Sequence, residues 1–408
     1  MGVFGTRPGC WRQSRRPFLR TLLLPFVLAA MVLPASAAGF DTCLSRLRQQ
    51  AVKAGVSERT VNAALGSVAF DEKAVRFSRA QPEYKTPIWD YLAFLVDKER
   101  IADGKAMLRK HANTLAAVEK AYGVDRYIVL AVWGVESDYG QFHGDFHVPH
   151  ALANVACAGR RAKYFRSELI EVLKIVDRGD VRLSDLKGSW AGAFGQTQFM
   201  PSTYRRLAVD HDGDGRKDLV NSVPDALAST ANYLKKAGWV TGMPWGYEVK
   251  LPKGYKGPSG RKRKASVTSW GKRGVTHLDG GRLQGDASAG LLLPAGENGP
   301  AFLVFRNFDA IYSYNVAESY ALAISHLSDR LWGAGSFATD WPTDDPGLSR
   351  AERLGLQELL LRAGFDIGEA DGRVGQATRE GIRKAEARHG LPVTGRPGRK
   401  IYEALGGR

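Results

Sequence analysis

Residues 127–135 read Tyr-Ile-Val-Leu-Ala-Val-Trp-Gly-Val, end on Glu136 and continue as Ser137-Asp-Tyr139-Gly140. Ile128, Ala131, Val132, Val135 and Tyr139 recur at helical spacing, and the other face is apolar too, the pattern of a helix buried on all sides. A chain that carries such a helix has to supply apolar partners around its whole circumference. A carboxyl delivered there loses solvation, which raises its pKa. Glu136 is therefore expected to stay protonated near neutral pH and to donate a proton to a leaving group. The alternative is a helix-terminal Glu that reaches solvent beside Gly140.

A second segment favours the chemical reading. Residues 189–204, Ser189-Trp-Ala-Gly-Ala-Phe-Gly-Gln-Thr-Gln198-Phe-Met-Pro-Ser-Thr-Tyr204, combine small residues with amide, aromatic and hydroxyl side chains around one Pro. That is the composition of a tight loop entering a helix. Glycines allow close approach of a ligand to the backbone, and neutral amides suit sugar hydroxyls and acetamido groups. Glu136-Ser-x-Tyr-Gly140, then Gly192-Ala-Phe-Gly-x-x-Gln198-Phe-Met-Pro-Ser202, then Tyr314-Asn315-x-x-x-x-Tyr320-Ala resembles the membrane-bound lytic transglycosylase B family of bacterial cell-wall enzymes. The resemblance spans roughly residues 40–335. Gln196 and Thr197 depart from it, since an aromatic and a Gly are usual there.

The resemblance implies a mainly α, lysozyme-like catalytic fold that cleaves the β-1,4 bond between N-acetylmuramic acid (MurNAc) and N-acetylglucosamine (GlcNAc) in peptidoglycan. It implies one catalytic carboxyl, Glu136, acting first as acid and then as base, with no cofactor. The substrate's acetamido group stabilises the oxocarbenium and its C6 hydroxyl attacks C1, giving a 1,6-anhydro sugar. Most glycosidases use two carboxylates, and no partner for Glu136 stands out; Asp138, two positions on, is expected at the surface. Ser189 and Gln198 match family positions near the acid, and Tyr314, Asn315 and Tyr320 match the far wall. There Asn315 is expected to orient the acetamido group or hydrogen-bond Glu136. Tyr233, with Asn232, is expected to face the same cleft. A hydrolytic muramidase, or a non-catalytic peptidoglycan-binding protein, is the alternative.

The 408 residues suffice for two or three domains. Arg12, Arg15, Arg16 and Arg20 precede an apolar run over residues 22–33 and then Pro34-Ala-Ser-Ala37, a secretory signal too short to span a bilayer comfortably. Residues 1–38 are read as a signal peptide cleaved near Ala37 or Ala38, with an uncleaved anchor as the alternative. The expected product is periplasmic, with no stable membrane insertion. Cys43 and Cys157 then remain as one disulfide or two separate buried thiols. Net charge is +16, and nine Lys and Arg fall in residues 249–278 without an acid. Export argues against nucleic acid and for weak attraction to peptidoglycan carboxylates.

Residues 39–338 are read as the catalytic domain, with an irregular or small β insert at about 245–300 where Gly and Pro break the basic run. Asp210, Asp212, Asp214, Arg216 (through its carbonyl), Asp218 and Asn221 occupy the ligand positions of an EF-hand loop with Gly215 at the turn. Asn221 replaces the usual bidentate Glu, so the loop is read as a weak structural Ca²⁺ site or a self-satisfied Asx-turn cluster. Residues 339–348 read as a linker. Residues 349–408 resemble the three-helix peptidoglycan-binding domain often attached to wall hydrolases, with Ala385 and Glu386 where an aromatic and a Gln are usual. That tail is expected to be a separable anchor, dispensable for turnover of soluble fragments.

Overall fold

The apolar run at 127–135 becomes the helix Arg126–Ser137 in the computed structural model of the chain, which describes residues 37–78 and 86–408. Asp125 opens this helix by accepting from the N–H groups of Tyr127 and Ile128, two of the donors a helix start leaves unpaired. All residues from Ile128 to Gly134 are buried. The enclosing partners are the helices Lys98–Lys110, Ala112–Tyr122, Val223–Lys236 and Glu318–Trp332. Their apolar faces meet around Val129, Leu130, Trp133, Leu234, Phe308 and Leu327 to form one core.

A second core lies among the helices Ala37–Lys53, Glu58–Leu65, Val148–Ala158, Ala162–Asp177 and Pro201–Leu207, around Leu47, Leu65, Leu152, Phe165 and Tyr204. A disulfide between Cys43 and Cys157, with Cα atoms 5.9 Å apart, fastens the first of these helices to the third. Tyr233 and Tyr314 pack against both cores, so the seam between the two lobes runs past their rings.

The region after residue 245 is a four-stranded antiparallel sheet rather than irregular chain, ordered Gly246–Val249, Ala301–Val304, Ser288–Leu292, Lys264–Ser266. Its strand Ala301–Val304 is buried on both faces by alternation: Phe302 and Val304 join the first core, while Ala301 and Leu303 join the insert's own core of Val249, Trp270, Val275 and Leu291. The basic run is not wholly a solvated face. Arg261 is buried, donates to Asp309 at 2.5 Å and stacks over Tyr312 at 3.7 Å, and Lys264 reaches the same carboxylate at 2.5 Å. The missing acid is supplied from outside the run, by the helix Arg306–Tyr312.

Beyond residue 335 the chain stays attached to the body. Ala338 and Thr339 donate to the Glu248 carboxylate at 2.7 and 2.8 Å, and Phe337 stacks on His326 at 3.9 Å. The helices Arg350–Arg362, Gln376–Arg388 and Arg399–Ala404 then enclose Leu356, Leu360, Ile382 and Ile401. Ser349 and Glu352 form a capping box at their start. Glu386 is buried and accepts from the Thr394 N–H, the Thr394 hydroxyl and the Gly395 N–H at 2.7, 2.6 and 2.8 Å. That turn offers donors only, so a carboxylate serves it. Among the described residues no helix is long and apolar enough to cross a membrane.

Candidate active site

The helix Arg126–Ser137 stops there because the next three residues are left-handed: Asp138 at φ 53°, Tyr139 at 57° and Gly140 at 84°. Tyr139 therefore leaves the helical face on which its spacing had placed it. Its ring folds back over Gly134, where a Cβ would lie 2.6 Å from it, and its hydroxyl donates to the Arg100 carbonyl at 3.1 Å. Gly140 is required twice over, by its positive φ and because a Cβ there would meet Gln196 Oε1 at 2.2 Å. Two consecutive non-glycine residues in this region cost on the order of 1–3 kcal/mol each, so surrounding contacts must hold them.

Those contacts come from the loop at 189–204. Ser137 donates to the Gln196 carbonyl at 2.5 Å and accepts from the Gly140 N–H at 2.9 Å. Gln196 accepts from Trp133 Nε1 at 2.9 Å and donates to the Val220 carbonyl at 3.1 Å. The family departure at 196 is thus a lock between helix and loop, a role that sequence reasoning missed although the unusual amide marked the position. Thr197 is fully buried, and its carbonyl accepts from Tyr314 at 2.7 Å.

Glu136 keeps part of its surface open, while the atoms around its carboxyl pack as in an interior. Burial pushes the carboxyl up to about 7, against the pull of the Tyr320 hydroxyl, which donates to Glu136 Oε1 at 2.5 Å. Burial, reinforced by the Glu136 charge, holds Tyr320 well above the ordinary phenol range, so it remains a donor. The hydrogen bond expected from Asn315 is supplied by Tyr320 instead. Asn315 is exposed on the turn before Glu318–Trp332 and lines a cavity with Trp89, Tyr91, Tyr312 and Pro294.

Tyr233 and Tyr314 meet at a ring separation of 4.7 Å, and Tyr314 stacks on Tyr320 at 6.3 Å with planes 13° apart. Tyr233 donates to the Ser313 carbonyl at 2.6 Å, so its hydroxyl, like those of Tyr314 and Tyr320, is engaged by protein. Half-buried as they are, Tyr233 and Tyr314 offer ring faces to the seam rather than phenol groups. Asn232 donates to the Leu207 carbonyl at 2.9 Å and joins lobe to lobe. Ser189 accepts from the Ala193 N–H at 3.0 Å, closing the loop, and Gln198, at φ 51°, donates to the His143 and Gly195 carbonyls at 3.0 Å each. Asp138 is a correction to the surface position expected for it. Left-handed φ swings its carboxylate to Arg100 at 3.3 Å and Arg350 at 2.7 Å.

Of the six positions read as metal ligands, three converge: the exposed carboxylates of Asp210, Asp212 and Asp214 have oxygens within 4.8 Å of one another. Arg216 lays its guanidinium on Asp214 at 3.0 Å. Asp218 is buried and turned away, accepting from the Val220 and Asn221 N–H groups at 3.0 and 2.9 Å, and Asn221 donates its amide to Asp218 at 3.0 Å. The carboxylate set fits a hard cation in chemistry and in turn geometry, with fewer charges than an EF-hand gathers.

The family of the transglycosylase SLT domain matches residues 39–329. The chain belongs to the transglycosylase SLT family. It is a lytic transglycosylase of peptidoglycan. A putative peptidoglycan binding domain matches residues 349–405. The transglycosylase is 34% identical over 266 residues, 63% of this chain and 71% of the relative, to membrane-bound lytic murein transglycosylase B of Escherichia coli strain K12. It is also similar to SltB3 of Pseudomonas aeruginosa, solved in complex with NAG-anhNAM-pentapeptide, at 42% identity and a TM-score of 0.73, covering 90% of this chain and 99% of that one. Slt35 of Escherichia coli, solved in complex with calcium, matches at 28% identity and a TM-score of 0.63, over 73% of this chain and 94% of that one.

Proposed function

We propose that Glu136 protonates the bridging oxygen of the MurNAc-β-1,4-GlcNAc bond and then, as a carboxylate, takes the proton of the C6 hydroxyl. The C1–O4 bond breaks, the substrate's acetamido group stabilises the oxocarbenium, and the C1–O6 bond forms, leaving a 1,6-anhydro-MurNAc end. Protons balance on Glu136 alone. The observation that carries this reading is a single carboxyl held at about 7 and hydrogen-bonded by Tyr320, so that it is poised to give a proton and is supported once it has done so. The carboxylate next in sequence, Asp138, is spent on Arg100 and Arg350 and is not free to serve as a second catalytic carboxylate. Ser189, Gln198, Tyr233, Tyr314 and Asn315 would line the groove, with ring faces for the sugars and amides for the acetamido group.

The same reading assigns peptidoglycan glycan strands as the partner and the periplasm as the compartment. The signal at residues 1–38 lies almost wholly outside the described residues; the Cys43–Cys157 disulfide supports an oxidising compartment. Asp210, Asp212 and Asp214 would hold a weak structural Ca²⁺ with no part in the reaction. Mass analysis of muropeptides released from purified sacculi tests the chemistry. Products one water lighter than those of a muramidase, and resistant to borohydride, are expected; hydrated, reducible muramic ends would assign a muramidase instead.

A further inference from the structure

The first turn of the peptidoglycan-binding module sits against the end of the catalytic helix. Arg350 opens the helix Arg350–Arg362; its guanidinium bridges Asp138 at 2.7 Å and Asp103 at 2.6 Å, and its N–H donates to Asp97 at 3.2 Å. Asp97 also caps the helix Lys98–Lys110 by accepting from the Arg100 N–H at 2.8 Å, so one buried aspartate starts a helix in the catalytic body and holds the start of one in the module. Arg353, buried, lies 3.6 Å from the same carboxylate and over the Phe94 ring at 4.5 Å. Arg373 covers Phe142, two residues past Gly140, at 4.0 Å. Farther away, Arg396 grips Asp90 at 2.7 Å.

We propose that Arg350 is a positioning residue for the transglycosylase reaction, holding the left-handed Asp138–Tyr139 turn through the Asp138 carboxylate and so fixing where Glu136 points. The proposal rests on the reading of Glu136 given above. Two adjacent left-handed non-glycine residues do not persist unless their surroundings over-determine them. On one side Ser137 and Gln196 do so; on the other side Asp138 is held by Arg100 and by Arg350, and Arg350 arrives only with the module. One guanidinium nitrogen bonds Asp138 and the other bonds Asp103, so the planar fork is fixed between two carboxylates and sets the direction of the Asp138 contact as well as its distance. Glu136 is two residues from that anchor, and its bond to Tyr320 tolerates little displacement. The module is then part of the catalytic unit, in contrast to the separable anchor suggested by its sequence.

The test uses the full-length chain and a soluble GlcNAc-MurNAc tetrasaccharide-peptide, with rates taken well below each variant's melting transition. Arg350→Ala is expected to lower kcat about 10-fold or more with KM within about twofold, as a misplaced catalytic group does. Arg396→Ala, which loosens the same module at Asp90, should leave kcat and KM unchanged. In an Asp138→Ala background, Arg350→Ala should add no further loss, because the acceptor that Arg350 holds is already gone. An unchanged kcat in Arg350→Ala, an equal loss in Arg396→Ala, or additive losses in the double variant would each overturn the positioning role. Failure of the underlying reading is separable: it would show as turnover retained by Glu136→Gln, whereas an inactive Glu136→Gln beside a fully active Arg350→Ala sinks only this proposal.

Discussion

Tyr320 bonds Glu136 in a sense that opposes the main effect on that carboxyl. Burial favours the acid and lifts it to about 7; the phenol favours the carboxylate and draws it down. The two steps proposed for Glu136 need both forms in turn, and the balance keeps each accessible near neutrality. On the proposed mechanism the acid must be protonated to act first, so kcat/KM should fall as pH rises through about 7. Tyr320→Phe removes the contact that favours ionisation, so the alkaline limb should move to higher pH. The carboxylate that must accept the C6 proton loses a charge-assisted hydrogen bond, and kcat should drop about 10- to 100-fold. A pH–rate profile on soluble fragments checks both, and a limb that moves to lower pH would contradict the assignment of Tyr320 as the supporter of the anion.

At the scale of elements, the helix Arg126–Ser137 was legible because a buried helix is apolar at every position, a signal that needs no knowledge of its neighbours. Its ending was not. Periodicity carried Tyr139 onto the helix, whereas the left-handed turn depends on space at Gly134 and on contacts from Gln196, far away in sequence. Helix Val223–Lys236 could be bounded from Ser222, Pro224 and Gly238, since caps act locally. The Asp210–Asp214 turn is intermediate: spacing indicated its carboxylates, but which side chains converge depended on Asp218 finding backbone donors of its own. If that turn holds Ca²⁺, chelation should lower the melting temperature by a few degrees, and Asp210→Ala should remove the sensitivity to chelator. Identical melting curves with and without chelator would exclude a structural ion there.

The whole molecule sets two helical lobes side by side, joins them at Tyr233 and Tyr314, and closes the end of the catalytic helix with a module from the far end of the chain. Motif order signalled the catalytic domain and the module; the docking of one on the other is carried by Arg350, Arg353 and Arg396, charged residues whose partners no local pattern reveals. Glu136→Gln keeps shape and hydrogen-bonding capacity but cannot transfer the proton. Its effect on stability has a definite sign: a carboxyl raised from 4.5 to about 7 loses stability as pH climbs through that range, so the Gln variant should match the wild type at pH 4 and melt higher at pH 8. The direct measurement is turnover of sacculi by Glu136→Gln at neutral pH, beside its melting curve and its binding to glycan. A folded variant that binds normally and is slowed at least about 10²- to 10⁴-fold is predicted; a folded variant with wild-type turnover would contradict the account.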